Sequence, residues 1–167
     1  MKTAETKLIE YMLLTSCFGN NHKLAKEYGT TEVTIGFQRD GYRKELVDFL
    51  SYNAKKDIFR CYEIKVSMSD FRSKAKKSWY GNYNYLAVTE DLYKEISLSD
   101  WKKELPNGVG MIVFNPDTLS SYSVIKATKQ EIDTEIKNVL KNSLLRTLFY
   151  QNTIKHNFYL RKMMEDF

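Results

Sequence analysis

Three kinds of feature are scarce in this 167-residue sequence, and each scarcity excludes a class of protein. Two cysteines, Cys17 and Cys61, are too few for a disulfide framework or a thiolate zinc site, and they fit a reducing cytoplasm, where we expect the protein. Two histidines, His22 and His156, exclude histidine-rich metal centres and catalytic motifs. No apolar run approaches the roughly 20 residues that a membrane-spanning helix needs. The charged start, residues 1–10, is unlike a secretion signal.

The composition is that of a folded domain with a basic surface. Apolar residues make up 43% and charged residues 28%, which is close to average globular usage. Lysine and arginine number 26 against 21 acids, so the net charge is +5. This excess is compatible with a nucleic-acid partner but does not establish one. The length fits one domain, and no repeat, linker or shift in composition divides residues 1–167.

The hydrophobic pattern predicts an α/β domain. Alternation with period two indicates six strands, at about residues 32–37, 44–52, 58–67, 83–88, 109–114 and 122–127. Helical spacing indicates helices at about residues 3–14, 22–28, 69–79 and 89–96 and further helices within 128–165. We therefore expect a mixed sheet of about six strands flanked by helices, with a core of about 3–127 and a helical C-terminal extension.

Acidic residues occur at matching places on the second and third strands. Glu63 and Lys65 are two residues apart, so they face the same side of a strand. If residues 54–57 join the two strands as a hairpin, the simplest register sets Asp48 directly across from Glu63, with side chains about 5 Å apart. Like charges opposite each other destabilise a sheet, whereas a divalent cation between them would turn repulsion into ligation. Carboxylate oxygens suit Mg²⁺ in this role.

The alternative is that these side chains form the solvated face of a strand. Leu46 and Leu50 bracket Asp48 on its own face, which counts against that interpretation. Asp57 is excluded as the second acid, because it falls in the connection and cannot face Glu63 across a ladder.

The order of elements, together with these residues, resembles the core of the PD-(D/E)XK nucleases, a restriction-endonuclease-like fold. More narrowly, Val47-Asp48-Phe49-Leu50 and Glu63-Ile64-Lys65-Val66-Ser67-Met68-Ser69-Asp70-Phe71 resemble the MmcB-like DNA-repair group, including its phage-borne and mobile-element members. The resemblance covers residues 32–88 well and the remainder by order of elements. One departure is Val47, which stands where the superfamily name has proline.

The resemblance implies metal-dependent hydrolysis of DNA in a bacterial or phage-infected cell. Asp48, Glu63 and the main-chain carbonyl of Ile64 would hold Mg²⁺ or Mn²⁺, and the ion would activate a water and neutralise charge on the phosphate. Lys65 would orient that water or help to deprotonate it, and would stabilise the transition state. An acid from the first helix often completes such sites, and the two candidates here are Glu5 and Glu10.

A basic segment follows the motif and predicts contact with the DNA backbone. Aromatic residues follow it directly, and Tyr80 among them is a candidate for stacking on an unpaired base. The cations are Arg72, Lys74, Lys76 and Lys77. Two alternatives stay open at this point. The cations could be a solvated helix face, and the whole domain could be a DNA- or protein-binding module that keeps the fold without catalysis.

Overall fold

The computed structural model describes residues 2–18, 26–36, 45–73, 78–95 and 98–165. Its elements, in chain order, are α1 (Ala4–Ser16), β1 (Tyr28–Ile35), β2 (Glu45–Asn53), β3 (Ile58–Lys65), α2 (Met68–Phe71), β4 (Tyr83–Thr89), α3 (Glu90–Lys94), α4 (Leu98–Glu104), β5 (Gly110–Asn115), β6 (Ser120–Ile125) and α5 (Thr134–Glu165). The strands form one sheet in the order β1-β2-β3-β4-β5-β6. The predicted α/β class, with a mixed six-stranded sheet flanked by helices, is confirmed.

The direction of pairing changes at β3. Strands β1, β2 and β3 are antiparallel, β3, β4 and β5 are parallel to one another, and β6 returns antiparallel to β5. Each parallel connection passes through helical segments, as a crossover requires. β3 is therefore the boundary between the two halves of the sheet. In mixed α/β sheets, ligands bind beyond the carboxyl ends of strands where the topology changes.

Helices cover both faces of the sheet. The α1 cluster contains Ile9, Leu13, Cys17, Phe49, Tyr62, Ile64, Ala87 and Phe114. The α5 cluster contains Val33, Ile35, Val47, Leu50, Phe59, Cys61, Leu140 and Leu144. Cys61 and Tyr62 are adjacent on β3 and belong to different clusters, so α1 and α5 lie on opposite faces, since side chains alternate along a strand. A third cluster packs β4 and β5 against α2, α3 and α4 around the fully buried Trp101.

The C-terminal helix packs against the sheet, and its side chains bond the edge strand β1. Residues 128–165 were predicted to hold more than one helix, and they form a single 32-residue helix, α5. Its side chains bond the outer edge of β1. Arg146 donates to the carbonyl of Thr34 at 2.5 Å, and Gln151 donates to the carbonyl of Thr31 at 3.2 Å. These contacts cover an edge strand that would otherwise expose unpaired main-chain groups.

Two helix predictions were wrong in extent. The helix predicted over residues 69–79 is the four-residue α2, capped by Ser67, whose hydroxyl accepts from the Asp70 N–H at 3.3 Å. Residues 78–80 have no regular secondary structure, and the N–H of Ser78 bonds the side chain of Glu63. Of the helix predicted at 22–28, residues 22–25 lie outside the described part of the chain, and Tyr28 begins β1. Within the described ranges, no helix is long and apolar enough to cross a membrane.

Candidate active site

Strand β2 loses its regular pairing at Asp48. Its ladder with β1 is interrupted where Asp48 and Glu32 would meet, and Glu32 has a left-handed φ of 55°. Its last pair with β3 is Phe49↔Tyr62. Val47 packs in the α5 cluster whereas Phe49 packs in the α1 cluster, although residues two apart on a regular strand share a face. The strand therefore turns over at Asp48, and β2 and β3 separate there.

The Asp48 side chain replaces the missing ladder bond. Its Oδ2 accepts a hydrogen bond from the Ile64 N–H at 2.8 Å. The other edge of β3 continues to pair with β4 at this level, with Ile64 opposite Ala87. Because Ile64 stands between Glu63 and Lys65, the aspartate of β2 is attached to the centre of the E-x-K motif.

Asp48 and Lys65 line one pocket, of about 430 Å³, where the two strands separate. Lys65 is only 7% exposed, and its Nζ lies 3.3 Å from Oδ1 of Asp70. Ammonium and hydroxyl donors from three elements face the same space, which suits an anion such as a phosphate. The lining residues are Lys2, Thr3, Thr6, Asp48, Ile64, Lys65, Val66, Ser67 and Asp70.

The electrostatic environment leaves the charge on Asp48 incompletely compensated. Burial raises the pKa of the Asp48 carboxyl above its ordinary value, and the negative charge of Asp70 acts in the same direction. The Ile64 N–H and the positive charges of Lys65 and Lys2 oppose this shift without cancelling it. A partly buried carboxylate in this state is stabilised by an additional cation.

Glu63 lies on a neighbouring hydrogen-bond network. It is 3% exposed, and its Oε1 accepts from the Ser78 N–H at 3.0 Å. The Ser78 hydroxyl in turn donates to Oε2 of the buried Glu45 at 2.9 Å. Glu63 is not among the described residues that line the pocket. The structure therefore brings Asp48 and Lys65 together, with Glu63 adjacent in sequence but held by a different main-chain donor.

The predicted direct pairing of Asp48 with Glu63 therefore needs a correction. The hairpin register is as predicted over the pairs from Asn53↔Ile58 to Phe49↔Tyr62. The ladder ends one pair before the two acids, because β2 turns over at Asp48. Each carboxylate then accepts a different main-chain N–H.

The two candidate acids of the first helix lie in different environments. Glu5 is exposed, whereas Glu10 is buried and forms an ion pair with Lys2. Lys2 also lies 3.1 Å from Glu32 and lines the pocket. Burial alone would lower the pKa of Lys2, but the hydrogen bonds that its ammonium group donates to Glu10 and Glu32, with their negative charges, outweigh burial and raise that pKa above its ordinary value. Glu10 is thus connected to the pocket through Lys2, and no pattern in the sequence indicated this lysine.

The predicted nucleic-acid residues have different positions. Arg72 is exposed directly after α2, while Lys74, Lys76 and Lys77 lie outside the described residues. Tyr80 packs against the α5 cluster and donates its hydroxyl to Glu45 Oε2 at 2.7 Å, so its ring contributes to the core.

Two further aspartates, Asp57 and Asp70, lie at different distances from the pocket. Asp57 bonds Lys137 and Lys141 in the β2–β3 turn, away from the pocket, in agreement with its exclusion. Asp70 belongs to the motif around Glu63 and Lys65, and its carboxylate lies 3.3 Å from the ammonium group of Lys65.

A metal site with three or more acidic, histidine or cysteine ligands is not found among the described residues. The ligand set implied by the sequence is of another kind, since it combines two carboxylates with one main-chain carbonyl. Asp48 has one carboxylate oxygen that could serve as a ligand in this set. Its Oδ2 is occupied by the Ile64 N–H, and Oδ1 has no hydrogen bond to any residue that the structure describes.

The fold and the pocket define an α/β protein with a polar pocket where the antiparallel and parallel halves of its sheet meet. The chain matches no protein-family model and no curated protein. It is similar to the solved structure of a protein of unknown function from Silicibacter pomeroyi, with a TM-score of 0.58 and 18% identity. The match covers 78% of this chain and 80% of that chain. At this identity the likeness shows the fold alone.

Proposed function

We propose that this protein is a metal-dependent nuclease that hydrolyses DNA phosphodiester bonds, in DNA repair or in the biology of a phage or mobile element. The observation that carries the proposal is the hydrogen bond between Asp48 and the Ile64 N–H. This bond joins the aspartate of β2 to the E-x-K strand at the point where the ladder opens. An ordinary solvated strand acid has no reason to be half-buried in such an opening.

The donors near the opening suit a hard divalent cation. Asp48 Oδ1 and the carboxylate of Glu63, together with the Ile64 carbonyl, would hold Mg²⁺ or Mn²⁺. The bound ion would supply positive charge against the scissile phosphate. The raised pKa of Asp48 supports this assignment, because a cation beside the carboxyl would stabilise its charged form.

Lys65 would act on the substrate directly. Its ammonium group lines the pocket and donates to Asp70 at 3.3 Å, so further N–H groups remain for a phosphate oxygen or for the attacking water. The hydroxyls of Thr3 and Thr6 line the same pocket and add neutral donors. Burial of Lys65 limits its movement, so the ammonium is positioned before substrate binds.

One observation favours a second candidate, a DNA- or protein-binding module without catalysis. Glu63 accepts from Ser78 and does not line the pocket with Asp48 and Lys65. If that hydrogen bond persists when DNA and metal are present, the site has a single carboxylate. Such a site would still bind a phosphate through Lys65.

Cleavage assays distinguish the two candidates. With Mn²⁺ and a panel of duplex, nicked, branched and single-stranded DNA, the parent should cut at least one substrate. Asp48→Asn, Glu63→Gln and Lys65→Met should each reduce cutting by at least about 100-fold, since each removes a ligand or a proton-transfer group. Asp117→Asn and Lys102→Met change the same residue types at exposed positions outside the pocket and should cut like the parent.

Two outcomes would contradict the nuclease proposal. If the three pocket variants cut as fast as the parent, the activity comes from a contaminant or from another site. If the parent binds DNA but cuts none of the substrates, the binding module is the correct candidate.

A further inference from the structure

The second half of α5 has no described contact with the rest of the molecule. The first half is tied to β1 through Arg146 and Gln151, and Gln151 is the last residue of the helix with such a bond. From residue 152 to residue 159 every side chain is exposed, as are Lys162 and Met164. We call residues 152–165 the outer half of α5.

Large apolar side chains are exposed along and just before the outer half. Phe149 is 75% exposed, Phe158 64% and Tyr159 63%. At about 100° per residue, Tyr159 lies about 100° around the helix from Phe158 and about 140° from Ile154. Tyr150, Ile154 and Phe158 are four residues apart and lie within about 80° of one another along one side of the helix, whereas Phe149 and Tyr159 lie on other sides, so the exposed apolar groups extend beyond one stripe. A helix that lies on a membrane surface needs a single apolar face, and a coiled-coil partner needs a continuous seam.

Between Glu135 and Glu165, the charged side chains of α5 all have one sign. Residues 136–164 contain six lysines and arginines and no acid. In the first half the cations are used within the fold, since Lys137 and Lys141 both pair with Asp57. In the outer half, Lys155 and Lys162 are exposed, and no described carboxylate pairs with them. Two copies of this helix would repel each other, whereas a polyanion would be attracted.

We propose that the outer half of α5, with Phe149 and Tyr150 before it, binds single-stranded nucleic acid. Exposed aromatic rings interleaved with unpaired cations are the combination that holds a strand, since bases stack on the rings and phosphates contact the cations. Rings on several sides of the helix suit a flexible strand that wraps around it. The surface does not depend on the pocket chemistry, and only the expectation that its ligand is DNA rests on the proposed function.

The test measures binding of a fluorescent oligo-dT to the full chain in EDTA, where metal-dependent cutting cannot occur. Phe158→Ala with Tyr159→Ala should weaken binding by about 5- to 150-fold for each lost stack. Lys155→Gln with Lys162→Gln should reduce the slope of log K against log salt by about 0.7 for each lost phosphate contact. The charge-matched control, Lys102→Gln with Lys103→Gln on the exposed face of α4, should bind like the parent.

Folding and the occupant are checked in the same experiment. The altered positions are exposed, so the melting temperature should stay within about 2 °C of the parent. Because the chelator removes the metal on which the nuclease proposal depends, a change of binding in the outer-half variants reports on this surface and not on catalysis in the pocket.

Three results would overturn the inference. The first is affinity and salt slope unchanged in both outer-half variants. The second is a concentration-dependent dimer that Phe158→Ala with Tyr159→Ala abolishes, and the third is binding to anionic lipid vesicles instead of the oligonucleotide.

Discussion

The hydrogen bond from Ile64 to Asp48 makes a quantitative prediction about stability. Asp48→Ala removes the acceptor and leaves the Ile64 N–H without its bond in a partly buried place. An unsatisfied donor of this kind costs about 1–3 kcal/mol. Asp48→Asn keeps a side-chain oxygen of nearly the same shape at the same position. We therefore expect the alanine variant to be less stable than the asparagine variant by about 1–3 kcal/mol.

This difference is large enough to measure. For a domain of this size, 1 kcal/mol corresponds to a shift in melting temperature of about 2–4 °C. The alanine variant should thus melt about 2–12 °C below the asparagine variant. Urea unfolding followed by circular dichroism, with chelator present, gives the free energies of unfolding. Asp117→Ala and Asp117→Asn form the matched control pair, because that side chain is exposed, and they should differ little.

The pH dependence of the same variants gives the sign of the charge effect. The folded-state pKa of Asp48 is raised, with burial as the first cause, so the folded state favours the protonated carboxyl. Its contribution to stability is present at low pH and is lost as pH rises through the raised pKa. Asparagine does not titrate. The asparagine variant should therefore gain stability relative to the parent as pH rises from the ordinary aspartate pKa of about 3.9 through the raised folded-state pKa.

Two results would refute this reasoning. Equal stability of the alanine and asparagine variants would mean that the Ile64 N–H finds water or another acceptor. An asparagine variant that becomes steadily less stable than the parent as pH rises would mean that the Asp48 charge is well compensated in the protein.

Four further outcomes are expected. The melting temperature of the parent should rise with millimolar Mn²⁺, and Asp48→Asn should lose most of that rise, since only the folded state presents the ligands. Leu140→Ala should lower the free energy of unfolding by about 2–5 kcal/mol in urea titrations, because this fully buried side chain joins α5 to the sheet. Gly81→Ala should destabilise the fold in the same assay, since its Cβ would lie 2.7 Å from a main-chain carbonyl oxygen. Burial raises the pKa of Cys61 to about 12 and that of Cys17 to about 11. A thiol reagent at pH 8 should therefore label both cysteines slowly in the native protein and fast in urea. Fast labelling of the native protein would contradict their burial.

The sequence by itself determined the architecture and the strands on which the candidate residues lie. Alternation with period two placed six strands, and the short connection at residues 54–57 defined the β2–β3 register that the structure shows. The motif around Glu63 and Lys65, with Asp48 on the preceding strand, indicated the place where a polar pocket is found. These features depend on residues that are close together along one strand or one hairpin, so they can be predicted from the sequence without the tertiary structure.

Only the tertiary structure decided what each of these side chains contacts. Regular alternation predicted that Asp48 faces Glu63. In the structure, Val47 packs against α5 and Phe49 packs against α1, which lie on opposite faces of the sheet, so β2 turns over between these two residues. At this turn, the Asp48 carboxylate accepts a hydrogen bond from the Ile64 N–H. No local pattern contains this information, because it depends on two helices that are far apart in the chain.

The roles of the two ends of the chain were also decided by long-range packing. Lys2 lines the pocket and joins Glu10 to Glu32 only because α1 packs across the sheet. In the first half of α5, Leu140 and Leu144 are buried against the sheet. The last described hydrogen bonds between α5 and the sheet are those of Gln151 with Thr30 and Thr31, and the helix continues past them with its described aromatic and basic side chains exposed.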